Sequence, residues 1–198
     1  VHARGPAFAP DFITIYSAYG GSGAAPQPLI DYVGMPLQES LPLVVDLLQE
    51  YGLRERIKVI ASCKLIGPAR VAWALAMGAD FCVSARGFMF ALGCVQALQC
   101  NRNTCPTGIT THDEDLQRGL VPAKKSLRVE AYARQLAYSV GTIAHSCGVA
   151  EPRDLQRGHV RVIESTGASR SMAELHPLPS VRAEYAGVAE AVSQHRSP

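Results

Sequence analysis

Long apolar runs are missing from this 198-residue sequence, and so is any large excess of one charge. Its most apolar stretch, residues 71–98, is interrupted by Asp80 and Arg86, whereas a membrane span needs about twenty consecutive apolar residues. Lysines and arginines number 19 against 17 aspartates and glutamates, and no basic stripe indicates a nucleic-acid surface. We therefore expect neither a membrane protein nor a nucleic-acid-binding protein.

The sequence also lacks the features of a small secreted protein. No basic-then-apolar segment of the signal-peptide type opens it, and six cysteines among 198 residues are too sparse for a disulfide scaffold. Three of the six fall between residues 94 and 105, and such clustering favours a metal or cluster site in a reducing, cytoplasmic compartment. Cys63, Cys82 and Cys147 are expected to pack as buried small hydrophobes. The chain opens at Val1 rather than at a methionine, and we expect a fragment of a longer protein.

Apolar periodicity and turn residues predict an alternating α/β chain. Runs of β-branched and aromatic residues predict three strands, and segments with helical periodicity separate them, a spacing typical of βαβ units and a parallel sheet. A long helix is predicted further on, and a region rich in small and charged residues predicts a weakly ordered tail. The predicted strands are 11–16, 57–62 and 80–84, the helices 37–51, 68–78 and 123–146, the folded domain 1–164 and the tail 165–198.

Small residues follow each of the three predicted strands, in the segments 20–26, 61–64 and 84–87. In parallel α/β proteins, ligands bind at the carboxyl ends of the strands. Small side chains let backbone N–H groups approach an anion, and Lys64 and Arg86 would then meet a phosphate or an electron-rich flavin ring. The alternative is that these glycines only make tight turns.

The loops after the second and third predicted strands resemble the phosphate site of (β/α)8 barrels, which the loops after the seventh and eighth strands form. Under this mapping the chain holds about the last three strand–helix units of a partial TIM-type barrel. Its first strand is the sixth of the barrel, so an open sheet edge is expected. The missing amino-terminal half of the barrel is therefore a predicted partner.

Three cysteines make a Cys-x5-Cys-x4-Cys-Pro element, formed by Cys94, Cys100 and Cys105. Zinc usually takes four ligands, often from closely spaced cysteine pairs, and here only His112 is at hand as a fourth ligand. A set of three thiolates suits a 3Fe–4S cluster, in which each iron takes one of them, and a Cys-Pro ending is common in cluster-binding segments. Three free thiols in a helix and loop are the remaining alternative.

Several segments together resemble one enzyme family. Residues 20–26 read Gly-Gly-Ser-Gly-Ala-Ala-Pro, residues 84–94 read Ser-Ala-Arg-Gly-Phe-Met-Phe-Ala-Leu-Gly-Cys, and residues 103–108 read Asn-Thr-Cys-Pro-Thr-Gly. Over residues 10–150 the sequence resembles the carboxy-terminal half of the FMN domain of glutamate synthases, and in particular the stand-alone FMN-binding glutamate-synthase-like proteins. The resemblance implies a (β/α)8 barrel that holds FMN beside a 3Fe–4S cluster.

The resemblance also implies an oxidoreductase reaction. Electrons from ferredoxin or an NADPH-oxidising subunit would enter through the cluster, reduce FMN and pass as hydride to 2-iminoglutarate, giving L-glutamate. The imine would form from 2-oxoglutarate and either free or glutamine-derived ammonia. Lys64 would lie at the flavin ring or the substrate as the catalytic residue. The implied cluster ligands are Cys94, Cys100 and Cys105, and the implied FMN contacts are Gly20, Gly21, Gly23, Ser62, Lys64, Ser84, Ala85, Arg86 and Gly87.

The sequence departs from the family pattern beside the expected flavin. Tyr16 and Tyr19 replace two residues that are usually acidic, and Cys63 stands where a glycine is usual. Two alternatives therefore remain open. One is an FMN-dependent oxidoreductase that acts on another substrate, such as an α-hydroxy acid or a purine nucleotide. The other is a truncated, non-catalytic remnant. Iron content separates the leading hypothesis from the first alternative, and flavin binding separates it from the second.

Overall fold

The computed structural model describes residues 1, 3–18, 25–30 and 33–194, and its centre is a parallel sheet. The strands β1 (Phe12–Tyr16), β2 (Lys58–Ser62) and β3 (Phe81–Val83) lie in the order β1-β2-β3. In the register of the sheet, Tyr16 pairs with Ser62, and Ser62 pairs with Val83. The three last residues of the strands thus lie in one row. The prediction of βαβ units and a parallel sheet is confirmed, whereas closure into a TIM-type barrel stays a prediction.

Helices connect and follow these strands. Three of them begin and end close to the predicted bounds, whereas the helix directly after β3 and the two short helices at 27–30 and 114–117 were not predicted. In chain order the helices are α1 (Gln27–Ile30), α2 (Leu37–Glu50), α3 (Pro68–Ala76), α4 (Ala85–Leu92), α5 (Glu114–Gln117) and α6 (Pro122–Ser146).

The hydrophobic core lies between one face of the sheet and the helices α2 and α3. Leu41, Val59 and Met77 are fully buried there. Gly78, which follows α3, adopts φ +106°, and a Cβ atom at this position would lie 2.8 Å from Cγ1 of Val45. A residue with a side chain would therefore be strained and would collide with α2, which explains why α3 ends at a glycine.

The opposite face of the sheet carries several exposed apolar side chains. Alternate residues of a strand point to opposite faces, and Phe12, Tyr16, Phe81 and Val83 share this face at 42–62% exposure. Parallel sheets normally have both faces covered. This face and the edge of β1 are where the predicted missing half of the barrel would pack.

The segment from residue 165 onward differs from the expected weakly ordered tail. β4 (Arg161–Ile163) pairs with β5 (Ser169–Ser171) in an antiparallel hairpin, and α7 (Met172–Leu175) and α8 (Ala186–Gln194) follow. Met172 and Val192 are buried. The sequence indicates these strands and helices only weakly, because only a few, widely spaced apolar residues fix this segment to the core. Residues 195–198 lie outside the described residues.

Across the described ranges, no helix is both long enough and apolar enough to cross a membrane.

A charge network at the amino-terminal end of β3 ties the sheet to the preceding loops. An oxygen of Asp80 lies 3.0 Å from Arg54 Nη1 and accepts a 2.8 Å hydrogen bond from the backbone N–H of Val59. Arg54 also donates to the carbonyl of Gly78 at 2.8 Å. Asp80 and Arg54 are largely buried, at 14% and 17% exposure, so Arg54 needs Asp80 as its counter-ion. Lys58 Nζ lies 3.6 Å from the other oxygen of Asp80.

Asp80→Asn should therefore lower the free energy of unfolding by about 2–4 kcal/mol, because Arg54 loses its counter-ion within a largely buried site. Urea denaturation followed by circular dichroism measures the change. Asp115→Asn is the matched control: its ion pair with Arg118 is exposed, and its removal should cost less than about 1 kcal/mol. Equal effects of the two substitutions would contradict this role of Asp80.

Candidate functional site

A cavity of about 360 Å³ opens at the carboxyl ends of the three strands. The last residue of each strand lines it: Tyr16, Ser62 and Val83. Among the described residues that line it, Lys64 and Arg86 carry the charged groups, and none of these residues has a carboxylate or an imidazole. Apolar side chains make up much of the remainder. A largely apolar cavity with two cations suits an anionic ligand that carries a flat apolar ring system.

Most of the site residues predicted from the sequence lie on this cavity. From the predicted set the lining includes Ser62, Lys64, Ala85, Arg86, Cys94, Cys100 and Cys105. Ser84 and Gly87 do not line it, and Gly20, Gly21 and Gly23 lie outside the described residues. Residues of the predicted phosphate loops and of the predicted cluster loop thus line the same cavity. In the sequence, the only indication of this was the short connection between Arg86 and Cys94.

Ser84 and Gly87 instead surround a tyrosine hydroxyl. Oη of Tyr132, on α6, lies 2.6 Å from Oγ of Ser84 and donates to the carbonyl of Ile66 at 2.8 Å. Because the Tyr132 proton goes to Ile66, the Ser84 hydroxyl must donate to Tyr132. A Cβ atom on Gly87 would lie 1.9 Å from Oη of Tyr132, so only glycine leaves room for this contact.

Tyr132 therefore links the two loops that carry the cations of the cavity. Ile66 follows β2 and Lys64, while Ser84 follows β3 and precedes Arg86. The Tyr132 ring also packs edge-on against Phe88 of α4, with ring centroids 5.1 Å apart. Sequence reasoning assigned Tyr132 only to an apolar stripe of its helix. Nothing local in the sequence shows that its hydroxyl reaches loops 48 and 66 residues away.

The loop after β2 has an unusual backbone. Cys63 and Lys64, which both line the cavity, adopt φ values of 137° and 48°. A positive φ is rare for residues with a side chain and costs on the order of 1–3 kcal/mol. Such strain at a cavity wall is typical of a binding site, and here it fixes the direction in which the Lys64 side chain leaves the loop.

The three clustered cysteines reach the cavity from one loop. Cys94, Cys100 and Cys105 are each half-buried, and Cys63 adds a thiol from the β2 side. No three Cys, His, Asp or Glu side chains within the described ranges stand close enough to hold a single metal ion. That finding gives no support to a zinc site with His112, because zinc needs all its ligands on one ion. In an iron–sulfur cluster each iron takes its own thiolate, so this thiol-only donor set fits such a cluster.

Asn103 holds the cysteine loop in shape. It adopts φ 59°, which asparagine tolerates better than most residues. Its carbonyl accepts a 2.7 Å hydrogen bond from the Thr111 hydroxyl, and its side-chain oxygen accepts one of 2.6 Å from the N–H of His112. These contacts close the loop on itself and keep Cys100 and Cys105 on the cavity side.

The hydrogen bonds around the Cys105 thiol favour its thiolate form. Burial opposes this by raising its pKa, but hydrogen bonds from the Thr107 hydroxyl, at 3.4 Å, and from the backbone of Thr110 outweigh burial and lower the pKa from 9.0 to about 6. Cys82, on β3, has no such donors, and burial raises its pKa to about 11. Since metals bind the thiolate, Cys105 is the better suited of the two to bind iron at neutral pH.

Comparison with known proteins decides the family. The profile of the conserved region in glutamate synthase matches residues 4–150. The chain belongs to the glutamate synthase family. It is 45% identical over 151 residues to the glutamate synthase large subunit-like protein YerD of Bacillus subtilis, an alignment that covers 76% of this chain and 29% of that protein.

Other members of the family are more distant. The archaeal glutamate synthase [NADPH] of Methanocaldococcus jannaschii is 31% identical over 77% of this chain and 30% of its own length. The glutamate synthase [NADPH] large chain of Azospirillum brasilense is 32% identical over 56% of this chain and 7% of its own length. The chain thus spans about a third or less of the relatives it matches. The family resemblance seen in the sequence is confirmed, and the α/β fold is consistent with part of a longer protein.

The need for glycine at residue 87 can be tested by comparison with a second glycine that also lies within a helix. Gly87→Ala should lower the free energy of unfolding by about 2–3 kcal/mol, because the new methyl group displaces the Tyr132 hydroxyl. Gly141→Ala, where nothing lies near the added methyl group, should raise it by about 0.5–1 kcal/mol through helix propensity. Thermal unfolding of both variants measures the difference, and stabilisation by both would show that no close approach exists at Gly87.

The ionisation of Cys105 can be tested by alkylation of protein treated with a metal chelator. The rate of iodoacetamide labelling at Cys105 should rise with a midpoint near pH 6, because the hydrogen bonds favour its thiolate. Peptide mapping by mass spectrometry follows each cysteine separately, and Cys82 should stay unlabelled through pH 9. A midpoint for Cys105 near the ordinary value of 9 would contradict the hydrogen-bonding account.

Proposed function

We propose that the cavity binds FMN beside a 3Fe–4S cluster, as part of a glutamate synthase-type oxidoreductase. The observation that supports this most directly is the convergence of Lys64, Arg86 and the three clustered cysteines on one cavity. Family membership supports the same reading. The complete protein would reduce 2-iminoglutarate, formed from 2-oxoglutarate and ammonia, to L-glutamate. Because the chain spans only part of its relatives, this activity is proposed for the longer protein.

The roles of the residues follow from their positions. Cys94, Cys100 and Cys105 would each bind one iron as thiolates. Arg86, in the first turn of α4, would pair with the FMN phosphate, and the amino end of the helix adds a favourable dipole. Ala85, at the cavity wall, would contribute its backbone N–H group. Ser84 and Gly87 do not line the cavity, so they would contribute only through their backbone N–H groups, and the Ser84 hydroxyl is engaged with Tyr132. Ser62, and the glycines at 20, 21 and 23, would border the flavin.

Lys64 is the proposed catalytic residue. Bound FMN would supply hydride chemistry to the site. The ammonium of Lys64, held by a strained backbone at the cavity wall, would stabilise negative charge on the flavin ring or on a substrate carboxylate. The apolar wall around Met89 and Phe90 would exclude water from the reacting atoms and so strengthen that interaction.

The partners proposed for the site are an electron donor, an ammonia source and the rest of the barrel. The names of several relatives include NADPH, which supports an NADPH-oxidising subunit as the donor. A ferredoxin is the alternative donor, and the proposed compartment is the cytoplasm. Ammonia would be free or derived from glutamine. The apolar face formed by Phe12, Tyr16, Phe81 and Val83 supports an amino-terminal half of the barrel that packs on it.

A second candidate keeps the cofactors and changes the substrate. Tyr16 lines the cavity where the family pattern usually has an acidic residue, so an aromatic wall faces the flavin side. This favours a substrate other than the imino acid. Formation of glutamate from 2-oxoglutarate and ammonia by the complete protein supports the first candidate. Reoxidation of its flavin only by other substrates supports the second.

Anaerobic reconstitution of the chain with iron, sulfide and FMN tests the cofactor proposal. We expect about three irons and one FMN per chain, with the electron paramagnetic resonance signal of an oxidised 3Fe–4S centre. Cys100→Ser should abolish this signal because one iron loses its thiolate. Cys147→Ser, at the end of α6 and away from the cavity, is the matched control and should keep it. A chain that holds no iron, or a single zinc ion, would overturn the proposal.

A further inference from the structure

Two cations of α6 lie against the glycine that precedes the first clustered cysteine. A Cβ atom on Gly93 would lie 2.9 Å from Nζ of Lys125 and 3.7 Å from Nη1 of Arg128. Gly93 ends α4 in the left-handed conformation, and Cys94 follows it directly. Although the sequence gives these residues the pattern of a solvated helix face, the structure brings both charges to the cysteine loop.

These cations lack a carboxylate partner in the described part of the chain. The acidic residues nearest in sequence are engaged elsewhere: Glu130 pairs with Arg134, Asp115 pairs with Arg118, and Asp113 caps α5. Residues 81–112, which include α4 and the entire cysteine loop, contain no aspartate or glutamate. The formal charges that these contacts bring to the Cys94 end of the loop are therefore positive.

A cluster on three thiolates carries net negative charge, and reduction makes that charge larger. Uncompensated cations nearby favour the more negative state and so raise the reduction potential. We propose that Lys125 and Arg128 set the reduction potential of the cluster that Cys94 helps to hold, so that it accepts electrons more readily. This inference rests on the proposed cluster, and it concerns two residues that do not bind the iron.

A purely structural role is the competing explanation. The carboxyl end of a helix attracts cations, and Lys125 would then only stabilise α4. The two explanations differ in what they predict: a capping role affects stability alone, whereas a field effect moves the potential and weakens in high salt. The test therefore needs a redox readout.

Dye-mediated redox titration of the reconstituted chain, followed through the resonance of the oxidised cluster, gives that readout. Lys125→Gln and Arg128→Gln should each lower the equilibrium constant for reduction roughly 3- to 10-fold, as expected for one partly screened charge. The double variant should lower this equilibrium constant further. Lys125→Arg, which keeps the positive charge, should leave the constant at the value of the parent chain. Lys124→Gln, one residue away and not against Gly93, is the matched control and should leave it unchanged.

The outcomes separate this inference from the proposed function. Unchanged reduction potentials in both single variants, with full iron content and an intact resonance, would overturn the role of the cations but not the proposal that the cysteines bind a cluster. A parent chain that takes up no iron would overturn both. A difference in potential between variant and parent that shrinks in 1 M salt would support the field effect, because salt screens the exposed cations that the parent chain still carries.

Discussion

The hydroxyl of Tyr132 is the contact on which the candidate site depends. It joins the carbonyl of Ile66 to the hydroxyl of Ser84 and so fixes the spacing between the loops after β2 and β3. Lys64 lies on the first of these loops and Arg86 on the second. The distance between the two charged groups of the cavity is thus set by a residue of a helix that follows both strands in the chain.

This contact also explains the local composition of α4. Gly87 leaves the space that the tyrosine hydroxyl occupies, and Phe88 packs against the same ring. The start of α4 is therefore adapted on one side to α6 and on the other, through Arg86, to the cavity. At the other end of α4, Gly93 has no side chain and so leaves room for the charged groups of Lys125 and Arg128. Helix α6 thus supports both the Arg86 end and the cysteine end of the site.

Much of this arrangement follows from the sequence, and the rest does not for a physical reason. The βαβ pattern predicted the parallel sheet, because buried strands and amphipathic helices have local signatures. The cysteine spacing and the small residues after the second and third strands identified segments that share the cavity, whereas residues 20–24 after the first strand lie outside the described residues. The link through Tyr132 and the position of Lys125 depend on tertiary packing between segments far apart in the chain. The hairpin and helices from residue 161 onward depend on a few buried side chains, such as Met172, which leave no periodic pattern.

The central claim is that one cavity holds both a flavin and an iron–sulfur cluster. Iron-edge anomalous diffraction from crystals of the protein, reconstituted anaerobically with iron, sulfide and FMN, tests it most directly. We expect a cluster of iron peaks bonded to Cys94, Cys100 and Cys105, with flavin density in the same cavity and its phosphate against Arg86. Iron bound at other residues, or flavin on another surface of the chain, would contradict it.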